Sequence, residues 1–371
     1  GLAPLVGRVG DITGDRLKQL GAPYVVGDQV GLTGLQAAYE TRLAGTPTAD
    51  VVIKTSTTVV RRVQRFVGKP GQSVQLTIDP RMQQAADAAL TGVTLPAALV
   101  AIDVTNGQLR AAVSKPDGGF DRALDGTYEP GSTFKVVTSA ALLANGSTGA
   151  TPAPCPPTLQ IYGRVFKNFE GEASGALDLA GAFKISCNNA FIGLADKLPD
   201  GALARAATQF GFNAPSALPP PATGGSYPTP KDRAELAASA IGQGRVLVSP
   251  AHMASVAAAV AAGQWHAPVL TTLPAPKVPK VAPIDPGVVA TLRTFMASVV
   301  ESGGTAAGAG LPPGTFGKTG TAEFGNANPP QTHAWFIGFR GNLAFAVVVE
   351  GGGVGGRVAA PLAARFLNAV P

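Results

Sequence analysis

Three short segments of this 371-residue chain bring together a hydroxyl nucleophile, two amines and an amide, the set that serine-based acyl transfer needs. The first is Ser132-Thr133-Phe134-Lys135, which follows Pro130-Gly131 and opens a helical pattern, STFKVVTSAALLA (132–144). Residues i and i+3 share a helix face one turn apart, so Lys135 is expected beside Ser132. A serine hydroxyl is a weak nucleophile until a base takes its proton. A lysine kept neutral by burial and by cationic neighbours can be that base. The helix N-terminus under Ser132 adds partial positive charge, useful for depressing the lysine pKa and for binding an oxyanion.

The second segment, Ser186-Cys187-Asn188, follows the helical stretch LDLAGAFKI (177–185). A hydroxyl and an amide two residues apart on a loop can both face a pocket, relay a proton and hold a substrate amide. The third, Lys318-Thr319-Gly320-Thr321, follows a Gly/Pro loop. A strand edge there offers backbone N–H and C=O groups to an extended peptide. Gly320 is expected to let substrate approach, and Lys318 to supply charge for a terminal carboxylate. Taken singly these are weak signals: an S-x-x-K is usually an exposed helix turn, and S-x-N and K-T-G are usually caps or turns. Their order, their contexts and the lack of a competing catalytic set carry the joint reading.

The elements that must position these residues fall into two regions, 1–71 and 72–371. In the first, GLTGLQAAYETRLAG (31–45) has helical spacing at Leu35, Ala38, Tyr39 and Leu43, and an alternating strand pair spans Val51 to Val67. Lys69-Pro70-Gly71 marks the boundary. The second opens with a strand, SVQLTID (73–79), and a helix, PRMQQAADAAL (80–90), with Pro80 in its first turn. ALVAIDVTNGQLRAAVS (98–114) predicts a hairpin closed by a type I′ turn at Asn106-Gly107. Further on, the patterns predict a helix over 286–302, strands over 334–340 and 343–350, and a final helix over 359–369. Antiparallel hairpins flanked by helices predict an α+β fold rather than a doubly wound one. No internal repeat is evident.

Hydrophobic residues make up 45% and charged residues 14%, a balance that excludes a disordered chain, and the 47 Gly and 32 Pro predict many defined loops. The net charge of +6 is mostly scattered. Only Lys54–Lys69 is dense in cations, and its strand alternation favours a solvated strand face over a nucleic-acid patch. Two cysteines without a C-x-x-C and three dispersed histidines (His252, His266, His333) argue against a metal site. The longest stretch free of Asp, Glu, Lys and Arg, Val246–Pro276, is broken by four prolines, and its helical part is too short to span a bilayer. With Gly1 as the first residue, the expectation is a processed chain whose anchor lies outside it.

S-x-x-K, S-x-N and K-T-G in this order form the motif set of penicillin-binding proteins and serine β-lactamases. The chain resembles a class B penicillin-binding protein over nearly its whole length. YEPGSTFK (128–135), SCN (186–188) and KTGTAE (318–323) match the catalytic boxes. LTIDPRMQQAA (76–86), IGQG with SPAHMA (241–244, 249–254) and HAWFIGF (333–339) match structural signatures, and GLTGLQAAYETRLAG resembles the non-penicillin-binding region. The resemblance implies a five-stranded antiparallel sheet flanked by helices, with a small N-terminal pedestal of the dimerisation-like kind.

It implies that Ser132 attacks the penultimate D-Ala carbonyl of a peptidoglycan stem peptide, with Lys135 as general base. Ser186 and Asn188 would shuttle protons and position substrate, and Lys318 would anchor the carboxylate. Thr319, Gly320 and Thr321 would serve substrate or oxyanion binding, and the N–H groups of Ser132 and Thr321 would form the oxyanion hole. An amine from a neighbouring stem would resolve the acyl-enzyme, and β-lactams would trap it. Neither metal nor cofactor is implied. The expected setting is the extracytoplasmic face of a bacterial membrane, in a cell-wall synthesis complex with a glycosyltransferase. In that oxidising setting Cys155 and Cys187 are compatible with a disulfide that would fix the S-x-N loop, and equally with two buried thiols.

Several alternatives fall away on residues. GGGVGG (351–356) satisfies G-x-G-x-x-G, but no acidic residue follows Glu350, which removes the dinucleotide reading. GTFGKTG has Pro312 where a P-loop needs glycine. No G-x-S-x-G elbow occurs. A serine β-lactamase is the nearest enzymatic rival. It needs a deacylating device such as an E-x-x-L-N segment, and none lies between Asn188 and Lys318, where Glu235 sits in AELAAS instead. A non-catalytic β-lactam sensor that keeps the boxes for binding alone is the rival of another class.

Overall fold

The computed structural model describes residues 1–169, 173–219, 221–325, 327 and 329–370. It divides into two units. The smaller comprises Ala3–Leu76 with Thr271–Pro276, the larger Gly1–Leu2, Thr77–Leu270 and the chain from Lys277. The sequence passes between them at Leu76 rather than Gly71, and a late segment, Thr271–Leu273, joins the smaller unit by pairing antiparallel with Gln75–Leu76. The strand expected over 73–79 is correspondingly short, because Asp79 is diverted into capping the next helix.

In the smaller unit, the helix expected over 31–45 is two short ones, Gly34–Ala38 and Glu40–Ala44, broken at Tyr39. The break turns the Glu40 carboxylate inward, where it accepts from Gly31 N (2.6 Å) and Tyr24 Oη (3.2 Å). The strands Ala49–Thr55 and Thr58–Phe66 pair as an exposed two-stranded ribbon, which places the cationic stretch in solvent.

The larger unit is built on one sheet. Its strands are β1 (Ala97–Asp103), β2 (Leu109–Lys115), β3 (Thr315–Phe324), β4 (Gln331–Arg340) and β5 (Leu343–Val349), all antiparallel in the order β3-β4-β5-β1-β2. β1, β4 and β5 are nearly continuous apolar runs because both their faces are covered.

Its main helices are α1 (Pro80–Ala89), α2 (Lys135–Ala144), α3 (Leu179–Lys184), α4 (Asn188–Ala195), α5 (Arg233–Ala240), α6 (Pro250–Ala262), α7 (Pro286–Val300) and α8 (Ala359–Ala369). α6 is apolar all round and packs on β1, β4 and β5, while α7 packs on β3; α1 meets β2, and α8 packs on β4, β5 and α1. Three of these helices start by one device, a capping side chain followed by proline. Asp79 accepts from Arg81 N (2.8 Å), Ser249 from His252 N (3.2 Å) and Asp285 from Gly287 N (2.8 Å).

The β1–β2 hairpin forms as expected, but its turn is not type I′. Only Gly107 has positive φ (74°), and the loop closes through Gly107 N to Asp103 O (3.0 Å) and Asp103 N to Gln108 O (2.9 Å). Asp103 Oδ1 accepting from Thr105 N (3.0 Å) holds this longer turn.

Candidate active site

Ser132 lies in a 3₁₀ turn, Gly131–Phe134, that leads into α2. In a 3₁₀ turn residues i and i+3 eclipse, so Ser132 and Lys135 stand on one side. The turn is held from several directions. Gly131 N donates to Gly242 O (2.9 Å), and Gly131 takes φ 52° with its Cα against Ala322, where a Cβ would come within 2.9 Å. Tyr128 bridges to Val248 through both backbone groups (3.0 and 2.9 Å), and Tyr128 Oη donates to Glu350 (2.8 Å). Trp335 Nε1 on β4 donates to Glu129 O (3.1 Å).

Ser186-Cys187-Asn188 joins α3 to α4. Ser186 N donates to Phe183 O (3.1 Å) and Cys187 N to Ala182 O (2.9 Å), the bond pair of a Schellman turn. Ser186 occupies the left-handed position of that turn, φ 64°, which glycine usually fills. Its carbonyl thereby meets Lys135 Nζ at 2.6 Å. Its hydroxyl sits between two amines, 3.3 Å from Lys135 Nζ and 2.8 Å from Lys318 Nζ. Lys135 also donates to Asn188 Oδ1 (2.7 Å), in the first turn of α4. Cys187 is bonded to Cys155, so the disulfide arrangement is the one adopted.

Lys318, on β3, is fully buried and donates to its neighbour Thr319 O (3.1 Å). Burial away from water lowers its pKa to about 7. Each amine lies over a phenyl ring, Lys135 over Phe191 and Lys318 over Phe183, both at 5.4 Å.

One expectation needs correction. Gly320 does not open β3 to substrate. A Cβ there would meet Thr133 Cγ2 and Trp335 Cβ at 2.9 Å and Pro130 O at 3.1 Å, so its bare backbone lets the strand lie against the nucleophile turn.

Ser132, Ser186, Asn188, Thr319 and Thr321 line one cleft of about 750 Å³, with Lys318 beneath its floor. β3 is an edge strand of the sheet and forms one wall. Residues that the sequence did not single out share the lining. Arg164 and Lys167 come from the hairpin Thr158–Ile161/Arg164–Lys167, and Gln243 and Thr305 complete the cleft. Thr305 Oγ1 lies 2.6 Å from Thr319 Oγ1. IGQG (241–244) was the one available signal for Gln243, read as structural only. The 158–167 hairpin is too short and too polar to give a period.

The description "Penicillin binding protein transpeptidase domain" matches residues 97–368, and "Penicillin-binding Protein dimerisation domain" matches residues 2–76. The chain belongs to the penicillin-binding protein transpeptidase family. It is 32% identical to the peptidoglycan D,D-transpeptidase PbpA of Mycobacterium tuberculosis, over 82% of this chain and 74% of that protein. It is 26% identical to the peptidoglycan D,D-transpeptidase MrdA of Acinetobacter baumannii, over 96% of this chain and 63% of that protein. Among solved structures, the ceftriaxone acyl-enzyme of M. tuberculosis penicillin-binding protein A superposes with TM-score 0.73 at 30% identity, covering 81% of this chain and 80% of that one. Pseudomonas aeruginosa PBP2 in complex with WCK 5153 gives 0.81 at 29% identity, covering 99% and 87%.

Proposed function

We propose that this chain is a peptidoglycan D,D-transpeptidase that works through an acyl-enzyme on Ser132. The observation that carries the reading is the Ser186 hydroxyl held between Lys135 and Lys318 in the wall of the cleft that Ser132 enters. Ser132 Oγ attacks the penultimate D-Ala carbonyl, and its proton passes to the Lys135 amine. The N–H groups of Ser132 and Thr321 receive the oxyanion. Breakage of the C–N bond releases the terminal D-Ala, which takes a proton relayed through Ser186. An acceptor amine then attacks the ester, restores the Ser132 hydroxyl and leaves a new amide between stems. Protonated Lys318, with Thr319, holds the terminal carboxylate.

A β-lactam presents the same carbonyl and carboxylate without a departing leaving group, so the ester persists. Among the described residues, Glu235 is not placed as a deacylating glutamate of the β-lactamase kind. Glu235 is committed to Arg245 and to Lys231 N (2.5 Å), and the Arg245 guanidinium holds its carboxyl down to about 2. The first region serves as pedestal, and we place the enzyme on the extracytoplasmic membrane face, working with a glycosyltransferase.

Intact-mass analysis after benzylpenicillin tests the chemistry: one adduct on the protein, none on Ser132→Ala. An adduct on Ser132→Ala, or rapid nitrocefin hydrolysis by the unmodified protein, overturns the reading.

A further inference from the structure

The edge of β3 is shorter than the strand itself, because one side chain has already taken part of it. With its amide nitrogen toward the strand, Gln243 donates to Glu323 O at 3.2 Å, and its amide oxygen accepts from Glu323 N at 3.2 Å. This is the bond pair that a residue of a further β-strand would make. Thr319, Thr321 and Glu323 are two apart, so their backbone groups face the same side, and that side carries the cleft.

Gln243 is also held firmly at its own backbone. It follows α5 in a second Schellman turn, with Gly242 at φ 71°, Gly242 N on Ser239 O (2.9 Å) and Gln243 N on Ala238 O (3.0 Å). Gly242 O takes the N–H of Gly131 (2.9 Å), the residue before the nucleophile. One short segment therefore touches both the Ser132 turn and β3.

We propose that Gln243 is a positioning residue that ends the peptide-binding edge of β3 at Thr321, so that an acyl donor pairs beside Thr319 and Thr321 and nowhere further along. The inference rests on the transpeptidase reading above. With the donor's carboxylate end at Lys318, its upstream backbone runs toward Glu323 and is turned off the sheet there by Gln243. Recognition of the donor backbone is thus confined to the residues around the reacting carbonyl. The residue two places upstream makes no strand-type bonds.

The test compares two linear tetrapeptide thioester donors, identical except for an N-methyl group on the residue two places before the reacting one. On the unmodified protein the methyl group should change kcat/KM by less than about twofold. Gln243→Ala frees the Glu323 carbonyl, and the unmethylated donor should then outrun the methylated one by about fivefold, the worth of one neutral hydrogen bond. Gln243→Glu should show the same preference, since a carboxylate accepts from Glu323 N but cannot donate to Glu323 O. Each ratio is internal to one protein, so general destabilisation does not mimic it, and benzylpenicillin labelling gives the active fraction. An equal methyl effect in all three proteins overturns this inference alone. Normal penicillin labelling with no turnover of either donor by the unmodified protein overturns the donor reading beneath it, and this inference with it.

Discussion

α3 and α5 end in turns of the same hydrogen-bond pattern, and both turns contribute to the lining of the cleft. Gly242 takes the left-handed position after α5 and Ser186 takes it after α3, at φ 71° and 64°. Glycine is free there; serine is strained by about 1–2 kcal/mol. The Gly242 turn passes an unadorned backbone beneath the nucleophile, where a Cβ would lie 2.2 Å from Gly131 O. The Ser186 turn needs its side chain, since the hydroxyl links the two buried amines. Of these two turns, the strained one is the one whose residue has chemistry to perform. The strained turn is also the one tied down by a disulfide, Cys187–Cys155.

Breaking that tie should give the largest effect. Closing a loop across a sequence separation of 32 is worth about 3–4 kcal/mol in the chain-entropy model, so Cys155→Ser with Cys187→Ser should lower the denaturation midpoint accordingly. An unchanged midpoint in urea would mean that α3 and α4 hold the turn unaided. Gly242→Ala puts a methyl into Gly131 O and a left-handed penalty into the unstrained turn. We expect about 3 kcal/mol of destabilisation and a matching fall in penicillin acylation rate, read by calorimetry and stopped flow.

Ser186→Gly separates the two roles of the strained turn: acylation should fall by about a hundredfold while stability rises by about 1 kcal/mol. If stability also falls, Ser186 is not strained. The smallest effect concerns charge. The Lys318 amine has its pKa lowered to about 7, so it is cationic below that pH and loses its proton above it. KM for a donor with a free carboxylate should therefore rise with pH through about 7, by at most about tenfold per pH unit, and Lys318→Arg should flatten that limb.

Much of this was legible in the residues. The three boxes converge on one cleft, and the hairpin at 97–115 and the final helix fall where alternation and spacing put them. Strand period and helix period are local properties, so they survive translation into structure. Several features are not local. The positive φ of Ser186 follows from the end of α3 and from a disulfide partner far back in the chain, and a serine there carries no signal that glycine would have given. Gly320 looked like an opening for substrate because the residues it makes room for, Pro130, Thr133 and Trp335, lie elsewhere in sequence. The break at Tyr39 follows from the inward turn of Glu40 onto Gly31. Asn106-Gly107 promised a two-residue turn, and Asp103 recruited a longer one. In each case a distant or polar partner decided between local alternatives.

The register of the central sheet has a further consequence. β1 pairs with β5, so Asp103 waits for Leu343 and Ala97 for Val349. Nearly the whole chain is made before that edge of β1 is covered, and until then the hairpin 97–115 presents one apolar, unpaired side. Such an edge is a template for association with other chains. Pairing across so wide a separation is also slow. The nascent protein should therefore depend on being kept apart from its neighbours until its last strand arrives, and removing even the final thirty or so residues should yield aggregate rather than a smaller folded domain.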